Sequence, residues 1–325
     1  MTESLAKKST TVRSSLPLRQ RATRLAFGAL ERRAPRLGAR WAERVWCTVQ
    51  HADRSRSVPA APGDLGTIPL HEGTAPTFVA EVWGTSGPVV YLLHGWGGHR
   101  SQFGAFVAPL LATGFRVVAI DAPSHGDSAP GSFGPNRSLI TEFTAALAAA
   151  ARAFGPAHAV IGHSLGGGCA ALAVLDGLAA KRLVLISPMT DPTRFMQGFA
   201  AMLGFGDRIR SGLMRRLELR TGRPMADFDA VGRAQSSFKA EPPLDDAQLP
   251  SLLVIHDRED KQIPFGMGKA IAAAWQGAEL LGTNGLGHNR ILRDPEVIRS
   301  AVEFVQVGGV GAYQASVSRG SGQAA

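Results

Sequence analysis

From residue 77 onward the chain alternates two kinds of apolar segment. Short aliphatic and aromatic runs lie at residues 77–83, 88–93, 115–120, 157–161, 182–186, 251–255 and 278–281, and they read as strands. Between them, residues 103–112, 138–153, 170–175 and 295–305 carry the small-residue or 3.6-period patterns of helices. Several of the runs have no polar alternation, which suits strands buried on both faces. Strands that alternate with helices imply parallel pairing, with helices covering both sides of the sheet. The expected fold is therefore α/β, with a mostly parallel central sheet.

Two regions break the alternation. Residues 189–247 show helical patterns with charged faces, residues 208–220 among them, and no clear strand. A stretch of this length between two core strands needs a fold of its own, so a helical cap over the carboxyl ends of the strands is expected. Its Phe195, Met196, Phe199, Met202 and Phe205 suit either an apolar substrate lining or packing onto the body. The other region is N-terminal. Residues 16–30 place Leu18, Ala22, Leu25 and Ala29 at near-helical spacing, and Pro35 is suited to open a second helix with Leu37, Trp41 and Val45 on one face. The organisation read from these patterns is a basic amphipathic segment at 1–60, partly disordered, a core at 61–188 and 248–306, the cap at 189–247 and a Gly- and Ser-rich flexible tail at 307–325.

Charge sharpens this division. Residues 1–60 carry 13 Lys and Arg against 4 Asp and Glu, a surplus equal to the +9 of the whole 325-residue chain. The body is neutral, so the basic balance does not mark it as a nucleic-acid binder. Arg21, Arg24, Arg32 and Arg33 interrupt every candidate secretory h-region. Two readings of the segment stay open: helices docked on the body, or a peripheral membrane contact through residues 16–50. No stretch of about twenty uncharged apolar residues occurs, so no spanning helix is expected. Two cysteines, Cys47 and Cys169, without metal or redox spacing point to a reducing, cytoplasmic setting.

Chemistry concentrates where predicted strands end. The run at 157–161 leads into Gly162-His163-Ser164-Leu165-Gly166, a G-x-S-x-G match ahead of a helix. A sharp strand-to-helix turn there strains the serine and calls for glycines beside it. Its other reading is a Gly-rich helix start with a capping serine. Three further motifs close predicted strands: His94-Gly-Trp-Gly-Gly98, His256-Asp-Arg-Glu-Asp260 ahead of Ile263-Pro264, and Gly287-His288.

Over residues 67–306 these four motifs resemble the α/β-hydrolase fold family, its serine esterases and serine aminopeptidase-like members included. The resemblance implies a triad in the chain order Ser164, Asp260, His288. A serine hydroxyl needs an adjacent base, imidazole titrates near neutrality, and a carboxylate must orient it. Asp257 and Asp191 are the competitors for the acid. The resemblance also implies an oxyanion hole from the backbone N–H groups of Trp96 and Leu165. Here Ser124-His-Gly-Asp-Ser128 stands where the family usually writes Gly-His-Gly-x-Ser; His94 and His125 are read as structural. Substrate contacts are expected from His163, Phe199 and Phe205, with the Trp96 side chain bordering the acyl pocket.

The function expected on this basis is cleavage of a carboxylic ester of a lipophilic, small-molecule acyl substrate, with no cofactor, no metal and no nucleic-acid partner. Amide, peptide, thioester or lactone cleavage and acyl transfer are alternatives on the same machinery. A silent binding protein on the hydrolase scaffold is a third.

Overall fold

A computed structural model describes residues 18–71, 76–239 and 249–306. The N-terminal residues 1–17, the last part of the expected cap and the expected tail at 307–325 lie outside the described residues. Two helices come first, α1 (Leu18–Arg33) and α2 (Pro35–Trp46), the second opening at Pro35. The first half of the body then runs β1 (Asp64–Pro69), β2 (Thr77–Trp83), β3 (Val89–Leu93), α3 (Gly104–Ala112), β4 (Arg116–Asp121), α4 (Ile140–Phe154), β5 (Ala157–His163), α5 (Leu165–Leu175) and β6 (Ala180–Ile186). Helices α6 (Thr193–Leu203), α7 (Asp207–Thr221) and α8 (Ala230–Lys239) follow without an intervening strand. The second half comprises β7 (Ser251–Asp257), α9 (Phe265–Ala274), β8 (Glu279–Thr283), the short α10 (Gly287–Arg290) and α11 (Pro295–Gln306).

The eight strands of the described residues form one sheet in the order β1-β2-β4-β3-β5-β6-β7-β8. Strand β2 pairs antiparallel with β1 and β4, and the pairs from β4 through β8 are parallel. The apolar runs have the physical basis expected of them. In β3, Val90 and Leu92 face a core layer built with α3 and α11, while Tyr91 and Leu93 face the layer of α4, α5 and α9. Both faces are covered, so the strand is apolar throughout.

Strand β1 is absent from the sequence-predicted set. It is an edge strand with Leu65 64% exposed, so it has no buried run to recognise. Helix α5 begins at Leu165, five residues before the predicted start. Its Gly166-Gly-Gly168 run has poor helix propensity. Close packing decides instead: a Cβ on Gly166 would lie 2.2 Å from the His94 carbonyl oxygen and 2.3 Å from that of Leu93.

The N-terminal helices sit on the helices inserted after β6. Phe27 of α1 is fully buried, stacks on Trp41 at 4.2 Å between ring centroids and meets Phe205 at 5.3 Å. Glu31 accepts hydrogen bonds from the backbone N–H groups of Gly206, Arg208 and Ile209, which are free donors at the start of α7. A carboxylate at that end also suits the helix dipole. Glu43 pairs with Arg216 and, at 2.8 Å, with Arg220 of α7. Among the described residues no helix is long and apolar enough to cross a membrane.

Candidate active site

Ser164 sits between β5 and α5 with φ +55° and ψ −122°, a conformation that strains a residue with a Cβ. The surroundings require it. A Cβ at Gly162 would meet the Gly166 carbonyl oxygen at 2.6 Å, so only glycine lets strand and helix meet this closely. The Ser164 side chain makes no capping hydrogen bond to α5, which removes the helix-cap reading of the motif. The Ser164 carbonyl is engaged instead, accepting from Gly167, Gly168 and Met189 N–H groups. The hydroxyl stands at the amino end of a helix, where negative charge is stabilised.

The loop after β3 lies against this serine. A Cβ at Gly95 would come within 2.8 Å of Ser164 Cβ and 3.2 Å of its Oγ. His94 shapes the loop: its Nδ1–H donates to the Gly95 carbonyl at 2.7 Å, and its Nε2 accepts from Ala122 N–H at 3.1 Å. Burial lowers the His94 pKa to about 4, so the ring is neutral and suited to both roles. Trp96 and Leu165, expected to supply oxyanion donors, both border the cavity that reaches Ser164. Leu165 is the first residue of α5, and N–H groups in that position have no partner within the helix.

Of the three candidate acids, Asp260 is the one beside the histidine. Its Oδ2 lies 2.7 Å from His288 Nδ1. The other oxygen accepts from Gln262 N–H at 2.8 Å and Ile263 N–H at 2.9 Å. Burial alone would raise the Asp260 pKa. The facing His256 and His288 imidazoles and the Ile263 N–H outweigh burial and hold it far below the usual carboxylate range. Asp257 binds the loop instead, accepting from Thr283 Oγ1 at 2.8 Å and Leu286 N–H at 3.0 Å, and so braces the segment that carries His288. Asp191 accepts from Thr193 N–H and Oγ1 at the start of α6.

His163, expected to contact substrate, turns inward. It is 3% exposed, donates from Nε2 to the His288 carbonyl at 2.9 Å, and packs its ring 4.7 Å from that of His288. Burial and the neighbouring His288 lower its pKa to about 3. Phe199 and Phe205 also depart from expectation: neither lines the cavity at Ser164. Phe199 packs edge-on against Trp46 at 5.0 Å, and Phe205 packs on Phe27 and Phe199. The N-terminal helices claim both rings. Phe195, one turn before Phe199, does line the cavity.

That cavity has a volume of about 290 Å³ and apolar walls. Met189, Phe195, Leu217, Met225 and Phe228 come from the β6–β7 insertion, Leu139 and Ile140 from the start of α4, and Trp46 from the end of α2. Sequence reasoning missed Trp46, because nothing local links it to a serine 118 positions later. The chain after Trp46 continues across the active-site loops. Val49 N–H donates to the Asn136 carbonyl and Ala52 N–H to that of Gly97, while a Cβ at Gly97 would strike the Gln50 carbonyl oxygen at 2.0 Å. A larger cleft of about 840 Å³, of mixed character, is bordered by His288, Lys261, Gln262, Asn289, Arg290 and Leu292.

The Ser128 hydroxyl in the loop after β4 donates to the Asp121 carbonyl at 2.7 Å. Ser124, where the resembled family usually has glycine, takes φ +64°, a region that favours glycine. Its hydroxyl accepts from Gly131 N–H at 3.0 Å and so has a local partner.

Comparison with known proteins agrees with this architecture. A family model described as "Alpha/beta hydrolase family" matches residues 90–301. The dihydrolipoyllysine-residue acetyltransferase component of the acetoin cleaving system from Cupriavidus necator is 33% identical over 129 residues, covering 40% of this chain and 30% of the relative. A pimeloyl-[acyl-carrier protein] methyl ester esterase from Methylococcus capsulatus is 46% identical over 80 residues, covering 25% of this chain and 28% of the relative. The chain thus spans less than a third of the length of these curated relatives. An esterase from Rhodococcus superposes with a TM-score of 0.53 at 20% identity, over 75% of this chain and 99% of that one, a likeness of fold. The family match extends from β3 into α11 and takes in the strand-to-helix turn at Ser164, the Asp260 loop and His288, so the chain belongs to the alpha/beta hydrolase family.

Proposed function

We propose that this hydrolase cleaves a carboxylic ester with a lipophilic acyl group, through an acyl-enzyme on Ser164. The observation that carries the reading is the 2.7 Å contact between His288 and Asp260 at a site whose serine hydroxyl is free of any capping bond. Ser164 Oγ attacks the ester carbonyl carbon while His288 Nε2 takes its proton. Asp260 keeps the other ring proton on Nδ1 and stabilises the imidazolium as it forms. The N–H groups of Leu165 and Trp96 receive the developing oxyanion. The C–O bond then breaks, and His288 returns the proton to the departing alkoxide. Water, deprotonated by the same imidazole, attacks the acyl-serine, releasing the carboxylic acid and restoring the hydroxyl. The apolar cavity takes the acyl chain, and the larger cleft beside His288 takes the leaving group.

Acyl transfer is the second reading. A cleft of about 840 Å³ on the histidine side has room for an acceptor other than water, and one relative is named an acetyltransferase component. A matched series with one acyl group, presented as p-nitrophenyl ester, thioester, amide and lactone, separates the readings. The ester is expected to have the highest kcat/KM. A higher value for another bond type would move the assignment to that bond. Added alcohol or thiol acceptors that divert most of the product would favour transfer. Failure of every substrate, together with no fluorophosphonate labelling, would leave a binding protein on a hydrolase scaffold.

A further inference from the structure

The N-terminal helix pair has an inward face that the fold uses and an outward face that it does not. Inward, Phe27, Ala39 and Ala42 are buried, and both acidic residues of the pair, Glu31 and Glu43, are committed to α7. Outward, Leu18 is 83% and Leu25 77% exposed. With Ala22 and Ala29 they follow an i, i+4, i+7, i+11 spacing, which puts all four on one stripe of α1. On α2, Leu37 is exposed, and Trp41, one turn on, is partly exposed although its ring stacks on Phe27. Single exposed leucines are ordinary on protein surfaces; an aligned stripe of them on a helix is not.

Charge tells what this face suits. Arg19, Arg21, Arg32 and Arg33 of α1 and Arg36, Arg40 and Arg44 of α2 are all exposed. None of them makes an ion pair among the described residues, because the acids of the pair are turned inward. Exposed leucines set among unpaired arginines match an anionic bilayer surface. The apolar side chains enter the acyl boundary, while the guanidinium groups stay at the phosphates. A nucleic-acid partner would use the arginines and leave the leucines without a role.

We propose that α1 and α2 dock the protein on anionic lipid membranes through the Leu18–Leu25 stripe and the outward arginines. The same α2 ends in Trp46, which walls the cavity at Ser164, so docking sets the acyl cavity beside the bilayer. The proposal is independent of which bond the site cleaves, since its deciding readout is vesicle binding.

The full chain is sedimented with vesicles of phosphatidylcholine alone and of phosphatidylcholine mixed with phosphatidylglycerol. Binding is expected to the mixed vesicles and to weaken as salt rises. Leu18→Ser with Leu25→Ser should weaken it at least about tenfold. Arg36→Gln, Arg40→Gln and Arg44→Gln should each weaken it by about fivefold. Turnover of a soluble short-chain ester should stay unchanged in these variants, and an unchanged circular dichroism melt checks their folding independently of activity. Equal partition to both vesicle types, or full binding by the leucine and arginine variants, would overturn the proposal. So would a dimer of the free protein that the leucine substitutions dissolve, since the stripe would then serve a second copy.

Discussion

The loops that carry Ser164, Asp260 and His288 and the helices that wall the cavity above them are built in opposite ways. Each loop follows a parallel strand of the sheet, and contacts within a few positions shape these loops and the one after β3: Gly162 against Gly166, the His94 bond to Gly95, and the Ile263 N–H on Asp260. The helical cover has no such local grammar. It joins segments far apart in the chain, α2 from one end and α6 and α7 from the middle, through ring packing and two inward glutamates. The candidate site is thus assembled from motifs, and the cavity walls from packing between remote elements.

Substitutions in the loops should break the reaction and leave the cover intact. Ser164→Ala is expected to abolish fluorophosphonate labelling and lower turnover by roughly 10⁴–10⁶-fold. Asp260→Asn should cost ~10⁴-fold, because the imidazole loses the partner that sets its tautomer. Asp191→Asn, at the head of α6, should cost far less. A collapse in Asp191→Asn with near-normal rates in Asp260→Asn would transfer the role and sink the geometric assignment.

Substitutions in the cover should do the reverse. Trp46→Ala and Phe195→Ala enlarge the apolar cavity; if it takes the acyl chain as proposed, the preferred p-nitrophenyl ester should shift to longer or bulkier chains, changing chain-length discrimination by about tenfold. Phe205→Ala removes a buried ring that packs on Phe27 without reaching the cavity. It should cost about 3 kcal/mol of stability and leave the chain-length profile unchanged. A shifted profile in Phe205→Ala would mean that the cover acts as one unit, not as separate lining and packing residues.

The smallest effect concerns pH. Folding lowers the Asp260 pKa, so the folded protein binds fewer protons there than the unfolded chain. The contribution of Asp260 to stability is therefore present above the unfolded carboxyl pKa of ~3.9 and lost as pH falls below it. The melting temperature difference between wild type and Asp260→Asn should be constant from neutral to mildly acidic pH. It should shrink on further acidification, as thermal melts across pH can check.

The fold class and the placement of each motif at a strand end were legible because they rest on local regularities. A strand buried on both faces is apolar throughout, and a strained turn needs glycine wherever it occurs. Strand β1 escaped notice because an exposed edge has no such signature. Helix α5 started early because tight packing on the Leu93 and His94 carbonyls overrode the poor propensity of glycine. Phe199 and Phe205 had the composition of a pocket lining, yet an aromatic ring in an amphipathic helix looks the same whether it faces a cavity or a neighbouring helix.

What the chain determines by itself is the run of buried strands, the strained serine turn and the order of the motifs, each coded within a few positions. That Asp260 and not Asp257 meets His288 depended on the turn after β7, where Thr283 and Leu286 engage Asp257. Which rings wall the cavity depended on α2 lying across a helical insertion well over a hundred residues away. Contacts of that range leave no periodicity in the sequence, because they are set by the relative placement of whole elements, and only the tertiary structure decides that.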